Sequence, residues 1–170
     1  MGLGYHVQAG DALKPIFIFD LDGTVADPEH RMHHIHGEQK NWSAFYGACA
    51  EDAPIWPVII TLKTLRKCGA EIWIWTGRSD ECKQLTLEWL CEYGIFDGRS
   101  FRHWSRESHC FRMRKHGDHR PDHELKLEWL QQVETPERNR IVAAFEDRDR
   151  VVAMWREARI QCFQAAPGNF

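Results

Sequence analysis

The sequence has no run of about 18 apolar residues, so no segment is built to cross a membrane as a helix. No charged start leading into an apolar stretch marks its amino end. Internal repeats and low-complexity tracts are missing, which excludes solenoid and array architectures. Six cysteines occur without a CxxC pair, scattered through apolar and helical patterns. That distribution fits reduced, largely buried thiols rather than a disulfide framework, and with the other absences it suggests a soluble, cytoplasmic protein, in a host cytoplasm if the chain is viral. Charge of one sign is also scarce, since 22 Lys and Arg face 25 Asp and Glu for a formal net charge of -3. Any polyanion site must therefore be a local patch. The ten histidines, notably His30, His33, His34 and His36 and then His116, His119 and His123, match no common zinc spacing and read as surface or substrate-edge residues.

The 170 residues suit one domain, and 43% hydrophobic residues with eight Trp and nine Phe exclude a disordered chain. Residues 1–14, with Gly2, Gly4 and Gly10, read as a loose arm before a single domain over 15–170. Its central feature is residues 16–24, where Ile16, Phe17, Ile18 and Phe19 run without polar alternation into Asp20, Leu21, Asp22, Gly23 and Thr24. Such a run suits a strand buried on both faces of a parallel sheet, and ligands bind at the carboxyl ends of such strands. Two acids there at i and i+2 repel each other unless a cation or proton lies between them. As a bare turn, Asp-Gly-Thr is also ordinary chemistry.

Val25 to Pro57 then reads as a small cap-like insertion, a loop with a short helix carrying Trp42, Phe45, Tyr46 and Cys49. Val58, Ile59, Leu62 and Leu65 predict a helix that Gly69 ends. Ala70 to Trp75 predicts a strand ending in Thr76, Gly77 and Arg78. Asp80 to Tyr93 and Asp122 to Gln132 predict helices, with a short strand near Phe111 between them. Ile141 to Phe145 predicts a strand leading into Glu146, Asp147 and Arg148; a helix through Val151 to Trp155 and a last strand at Ile160 to Gln164 follow. Strands alternating with helices of this length predict an α/β layered fold with a mainly parallel sheet flanked by helices. Trp73, Trp75, Trp89, Trp129 and Trp155 fall on these patterns as core residues.

A parallel sheet brings Asp20/Asp22, Thr76/Arg78 and Glu146/Asp147 to one edge. Clustered carboxylates with no Cys or His beside them favour Mg²⁺ over Zn²⁺, and such a site attracts phosphate. One carboxylate can attack phosphorus while a second acid protonates the leaving alcohol. Thr76, a lysine and main-chain N–H groups can serve the equatorial oxygens.

The set Asp20-x-Asp22-Gly23-Thr24, Thr76-Gly77-Arg78, Lys126 and Glu146-Asp147 resembles the haloacid dehalogenase superfamily, which implies a Rossmann-like fold with a minimal cap. By that resemblance Asp20 is the nucleophile, and Asp22 is the general acid and base whose main-chain carbonyl also faces Mg²⁺. Thr76 and Lys126 hold the phosphoryl group, and Asp147 completes the metal site with Glu146 behind it. From Ile16 to Phe170 the chain also resembles the 3'-phosphatase domain of phage-type polynucleotide kinase/phosphatases. That likeness implies substrate roles for Gly23, Thr24, Arg31, Gly77, Arg78 and Asp122. Asp122 lies four residues before Lys126, where on a helix its carboxylate would share a face with the ammonium and orient it; it also suits a helix N-cap.

No GxxxxGK[ST] loop occurs, so 5'-phosphorylation is not implied. Arg99, Arg102, Arg106, Arg112, Arg114, Lys115 and Arg120, interleaved with Phe101, Trp104 and Phe111, are either a nucleic-acid track or a solvated loop with core anchors. The expected activity is a Mg²⁺-dependent phosphomonoesterase acting through an aspartyl-phosphate on nucleic-acid or nucleotide 3'-phosphates. No membrane or protein partner is implied, and an oligomer is compatible. The alternatives are a 5'(3')-deoxyribonucleotidase on free nucleoside monophosphates and a noncatalytic nucleic-acid-binding module.

Overall fold

The unalternating run at Ile16–Phe19 forms β1, the middle strand of the sheet. The computed structural model describes residues 13–96 and 109–168. Along the chain, β1 is followed by β2 (Ala26–Asp27), α1 (Trp42–Gly47), β3 (Ala53–Pro54), α2 (Trp56–Lys67) and β4 (Glu71–Ser79). Then come α3 (Lys83–Glu92), β5 (Phe111–Arg114), α4 (Asp122–Gln131), α5 (Thr135–Arg138), β6 (Ile141–Glu146), α6 (Asp149–Glu157) and β7 (Gln161–Gln164). Short 3-10 turns occupy Glu29–His34, Cys49–Glu51 and Asp80–Cys82.

The five strands of the main sheet run in the order β5-β4-β1-β6-β7 with every pairing parallel. The chain winds outward from β1 through β4 to β5, then crosses back to β6 and β7. The switch of direction lies between β1 and β6, where a doubly wound sheet opens a crevice at its carboxyl edge. Phe19 stands opposite both Ile74 and Phe145, so Asp20 and Glu146 emerge side by side at that crevice.

Both faces of the sheet are covered, which is why its strands read as continuous apolar runs. Phe19, Ile72, Ile74 and Phe111 pack on one side with Ile59 and Leu62 of α2 and Leu87 and Leu90 of α3. Ile16, Ile18, Trp73 and Trp75 pack on the other with Leu125, Trp129 and Leu130 of α4 and Val152 and Trp155 of α6. Trp75 is ringed by Trp73, Trp129 and Trp155 with centroids 5.7 to 5.9 Å away, and its indole N–H donates to the His109 carbonyl at 2.6 Å. Gly69, at φ +93°, ends α2 as the sequence predicts. None of the six cysteines is joined in a disulfide.

Four elements differ from the sequence reading. β4 continues through Thr76, Gly77 and Arg78 to Ser79 instead of stopping at Trp75, with its register against β5 shifting between Thr76 and Ser79. The insertion at 25–57 is closed at its base by the antiparallel pair β2 and β3, whose two-residue length shows no periodicity. The four-residue α5 is likewise too short for a sequence pattern. The part of the arm at 1–12, and Arg99, Arg102, Arg106, Phe101 and Trp104 of the basic stretch, lie outside the described residues. No described helix is long and apolar enough to cross a membrane.

Burial sets the expected cost of truncation. Trp75 is fully buried, so Trp75→Ala should lose about 3 to 5 kcal/mol of unfolding free energy. Ile60 is 60% exposed, and Ile60→Ala should stay within about 0.5 kcal/mol of wild type. Urea denaturation of the two variants checks the contrast; equal midpoints would contradict this packing.

Candidate active site

The first residue beyond β1, Asp20, is fixed by its own main chain, whose N–H donates to the Phe145 carbonyl at 3.0 Å. Its carboxylate is buried and accepts from Lys126 Nζ at 2.5 Å, while the same ammonium donates to Glu146 Oε2 at 2.6 Å. Lys126 reaches the crevice from α4, and its side chain is buried between the two acids. Asp147 follows β6, with its N–H donating to Glu146 Oε1 at 3.2 Å.

Burial, then the neighbouring Glu146, pushes the Asp20 carboxyl up to about 8. Burial raises Glu146 to about 7 against the pull of Lys126, and burial with the nearby Asp20 raises Asp147 to about 6. Burial favours neutral Lys126, but Asp20 and Glu146 overcome it and push its pKa upward. Asp20, Glu146 and Asp147 each offer a carboxylate oxygen within 4.8 Å of the others. Asp147 Oδ1 is buried and has no hydrogen-bond partner. An all-oxygen set with an orphaned carboxylate oxygen fits a hard divalent cation.

The turn after Asp20 requires a glycine. Gly23 has φ +80°, and a Cβ there would stand 2.2 Å from Asp147 Oδ2. The Leu21 carbonyl accepts from the N–H groups of Thr24, Val25 and Ala26, which folds the turn over the crevice. Thr24 Oγ1 is buried without a partner.

Asp22 faces a different environment. Its Oδ1 accepts from Arg31 Nη2 at 2.7 Å and from Arg78 Nε and Nη2 at 2.8 and 2.5 Å. Burial alone would raise its pKa, but the Arg78 and Arg31 guanidiniums outweigh it and hold the carboxyl below its ordinary value. The same arginines are gripped from behind by Asp52. Arg31 donates to it through Nε at 2.6 Å and Nη2 at 2.7 Å, and Arg78 through Nη2 at 2.5 Å. Both arginines are almost fully buried, a position a guanidinium holds only with carboxylates to compensate it. Thr76 is buried at the base of the crevice, with Oγ1 accepting from the Arg78 N–H at 3.2 Å.

The arrangement refines the sequence reading at several points. The clustered carboxylates are Asp20, Glu146 and Asp147, so Glu146 stands in the cluster rather than behind it, while the Asp22 carboxylate, expected at the metal only through its main-chain carbonyl, turns to the arginines. Asp122 acts on Lys126 through its charge rather than as its hydrogen-bond partner. It pairs with Arg114 and with Arg148 Nη1 at 2.5 Å, because Gly77, whose Cβ would lie 2.7 Å from Asp122 Oδ1, leaves room for that carboxylate against β4. His30 belongs to the buried network as well as the surface, its Nε2 lying 2.9 Å from Asp52 Oδ1. Asp52 itself has no sequence signal, since an isolated acid before a two-residue strand looks like any solvated one. Of the described basic stretch, Arg112, Arg114 and Arg120 are engaged with Gln132, Asp122 and Asp118 rather than set in an open track.

Comparison with known proteins adds a family. Residues 14–170 match the model of the polynucleotide kinase PNKP phosphatase domain. A protein of Autographa californica nuclear polyhedrosis virus, named as a bifunctional polynucleotide kinase/RNA ligase, is 32% identical over 157 residues, 92% of this chain and 20% of that protein. A chain from the Pnkp1/Rnl/Hen1 RNA repair complex superposes with a TM-score of 0.70 at 26% identity, over 92% of this chain and 44% of that one. The class C acid phosphatase of Bacillus anthracis with tungstate bound shares the fold at a TM-score of 0.59 and 16% identity, over 92% of this chain and 68% of that one. The chain thus spans a fifth of the viral relative and under half of the repair-complex chain. With a buried acid cluster at the switch point of a parallel sheet and a phosphatase-domain model matched along nearly its whole length, the chain belongs to the PNKP phosphatase domain family and is a phosphatase of the haloacid dehalogenase fold.

Proposed function

We propose that the chain is a Mg²⁺-dependent phosphomonoesterase that removes 3'-phosphate from nucleic-acid ends through an aspartyl-phosphate on Asp20. The observation that carries the reading is Lys126 held between Asp20 and Glu146, with the unpartnered Asp147 oxygen beside them. The nucleic-acid substrate is supported by the family match and by relatives named for polynucleotide kinase, RNA ligase and RNA repair.

Asp20, Glu146 and Asp147 would hold Mg²⁺, which supplies positive charge to a phosphoryl oxygen. An Asp20 oxygen attacks phosphorus as the bond to the sugar oxygen breaks, and that oxygen takes a proton from the Asp22 carboxyl. Water then attacks the aspartyl-phosphate, its proton passes to Asp22, and the bond between phosphorus and the Asp20 oxygen breaks. Lys126 and the Thr76 hydroxyl bear on the phosphoryl oxygens. At rest the two arginines keep Asp22 ionised, which suits the base of the second step. Arriving phosphate competes for Arg31 and Arg78, and their partial transfer raises the proton affinity of Asp22, which takes up a proton from solvent before the first step. Separate surroundings thus give two neighbouring acids opposite tasks.

Asp20→Asn should abolish phosphate release while leaving the chain folded. Asp22→Asn should lower kcat by about 10² to 10⁴. Near-wild-type turnover by Asp20→Asn would sink the mechanism. Comparing a 3'-phosphorylated oligonucleotide with 3'- and 5'-mononucleotides tests the substrate: preference for the free nucleotides points to a nucleotidase.

Asp52→Ala should cost about 3 to 5 kcal/mol of stability, because it leaves buried guanidiniums uncompensated. Chemical denaturation measures it.

The folded state holds protons on Asp20, Glu146 and Asp147, at about 8, 7 and 6, that the unfolded chain releases from about pH 4 upward. The cation-free protein should therefore lose stability as pH rises from about 4 to 8 and level off above that. Added Mg²⁺ should raise Tm more at pH 8 than at pH 5, and Asp147→Ala should remove the gain. An equal gain in that variant would place the cation elsewhere.

A further inference from the structure

Helix α1 presents an aromatic pair that the chemistry above does not use. Its buried residue, Phe45, ties the helix to the site: the Phe45 carbonyl accepts from Arg31 Nη1 at 3.3 Å, and the guanidinium carbon lies 4.0 Å above the ring. Arg31 is the residue that also holds Asp22. The next residue, Tyr46, is half-buried, packs against the core, and lies near enough to Asp22, Asp122 and Arg114 to feel their charges. One helical turn back, Trp42 is 45% exposed and stacks on Tyr46 with centroids 5.9 Å apart and planes 27° apart. Its edge meets Phe45 at 5.8 Å, and the Lys40 ammonium lies 5.8 Å from the Trp42 ring centroid. Asn41 fixes the start of the helix by accepting from the Ala44 N–H at 3.0 Å.

An exposed tryptophan on a capped helix is not required by the core, toward which α1 contributes the buried Phe45 and, in part, Tyr46. Trp42 is the exposed member of this aromatic group, and the Lys40 ammonium lies over its ring. Any nucleobase offers a π face to such a ring, whatever its sequence, and the adjoining backbone phosphate suits an ammonium. One turn of helix spans about 5 Å, the scale of a single nucleotide step.

We propose that Trp42 and Tyr46 form a stacking platform for the nucleobase next to the phosphate being removed, with Lys40 taking the adjoining backbone phosphate. This rests on the nucleic-acid-end reading above and assigns its specificity to α1. The platform positions substrate and takes no part in proton transfer or attack.

The test compares wild type with Trp42→Ala and Trp42→Phe on a single-stranded 3'-phosphorylated oligonucleotide, on the same strand with an abasic terminal nucleotide, and on p-nitrophenyl phosphate. Trp42→Ala should raise KM for the oligonucleotide about tenfold with kcat little changed, and Trp42→Phe should recover most of it. The difference between wild type and Trp42→Ala should vanish on the abasic strand, and all three proteins should turn over p-nitrophenyl phosphate alike. An unchanged oligonucleotide KM in Trp42→Ala, or an equal loss on the small ester, overturns the platform. Should wild type hydrolyse the small ester but not the oligonucleotide, the substrate reading fails. The platform is then judged by fluorescence anisotropy with a labelled single strand, where equal Kd for wild type and Trp42→Ala refutes it and a weaker Kd for the variant upholds it.

Discussion

Lys126 lets carboxylates collect at the carboxyl edge of the sheet. Its ammonium is buried between Asp20 and Glu146, at 2.5 and 2.6 Å, in a place where either acid alone would be driven to its neutral form. A single cation cannot offset three acids, and the raised values of Asp20, Glu146 and Asp147 express the remaining negative charge. That excess of negative charge, like the all-oxygen donor set, fits the cluster to a hard divalent cation. The strain of assembling like charges is thus a part of the site's affinity for its ligands.

A second pattern of compensation lies a few ångströms along the same turn. Asp22 and Asp52 enclose two buried arginines, and this network joins β1, the insertion at 25–57 and the extended end of β4. The insertion is therefore more than a cover. Arg31 and Asp52 both come from it, its ends are pinned by the pairing of β2 with β3, and Phe45 sets α1 against the Arg31 guanidinium. Helix α1 is thus held in register with Asp22 by the same buried charges. Backbone space matters in the same way: Gly23 and Gly77 each admit a carboxylate, Asp147 and Asp122, where a side chain would exclude it.

Much of the fold was legible in the residues because the sheet is buried on both faces. Ile16 to Phe19 and the Trp-rich run at 71–75 have no reason to be continuously apolar except to face helices on two sides, and Gly69 punctuates its helix through a backbone conformation that few other residues adopt. Asp20 and Asp22 announced themselves as acids at a strand end. Asp52 did not, since its meaning comes entirely from Arg31 and Arg78, which lie 21 and 26 residues away. The expected contact of Asp122 with Lys126 followed helical spacing correctly but missed Arg114 and Arg148, which come from β5 and the loop before α6 and compete for that carboxylate.

By itself, the sequence determined the order of strands and helices, the apolar layers and the chemistry available at each strand end, because these depend on local periodicity and residue type. Only the tertiary structure decided which charge meets which. Lys126 from α4 is placed on Asp20 across 106 residues of chain, the arginines are divided between Asp22 and Asp52, and Glu146 is brought into the acid cluster. Electrostatic pairing in a buried site is settled by distances that no spacing along the chain encodes.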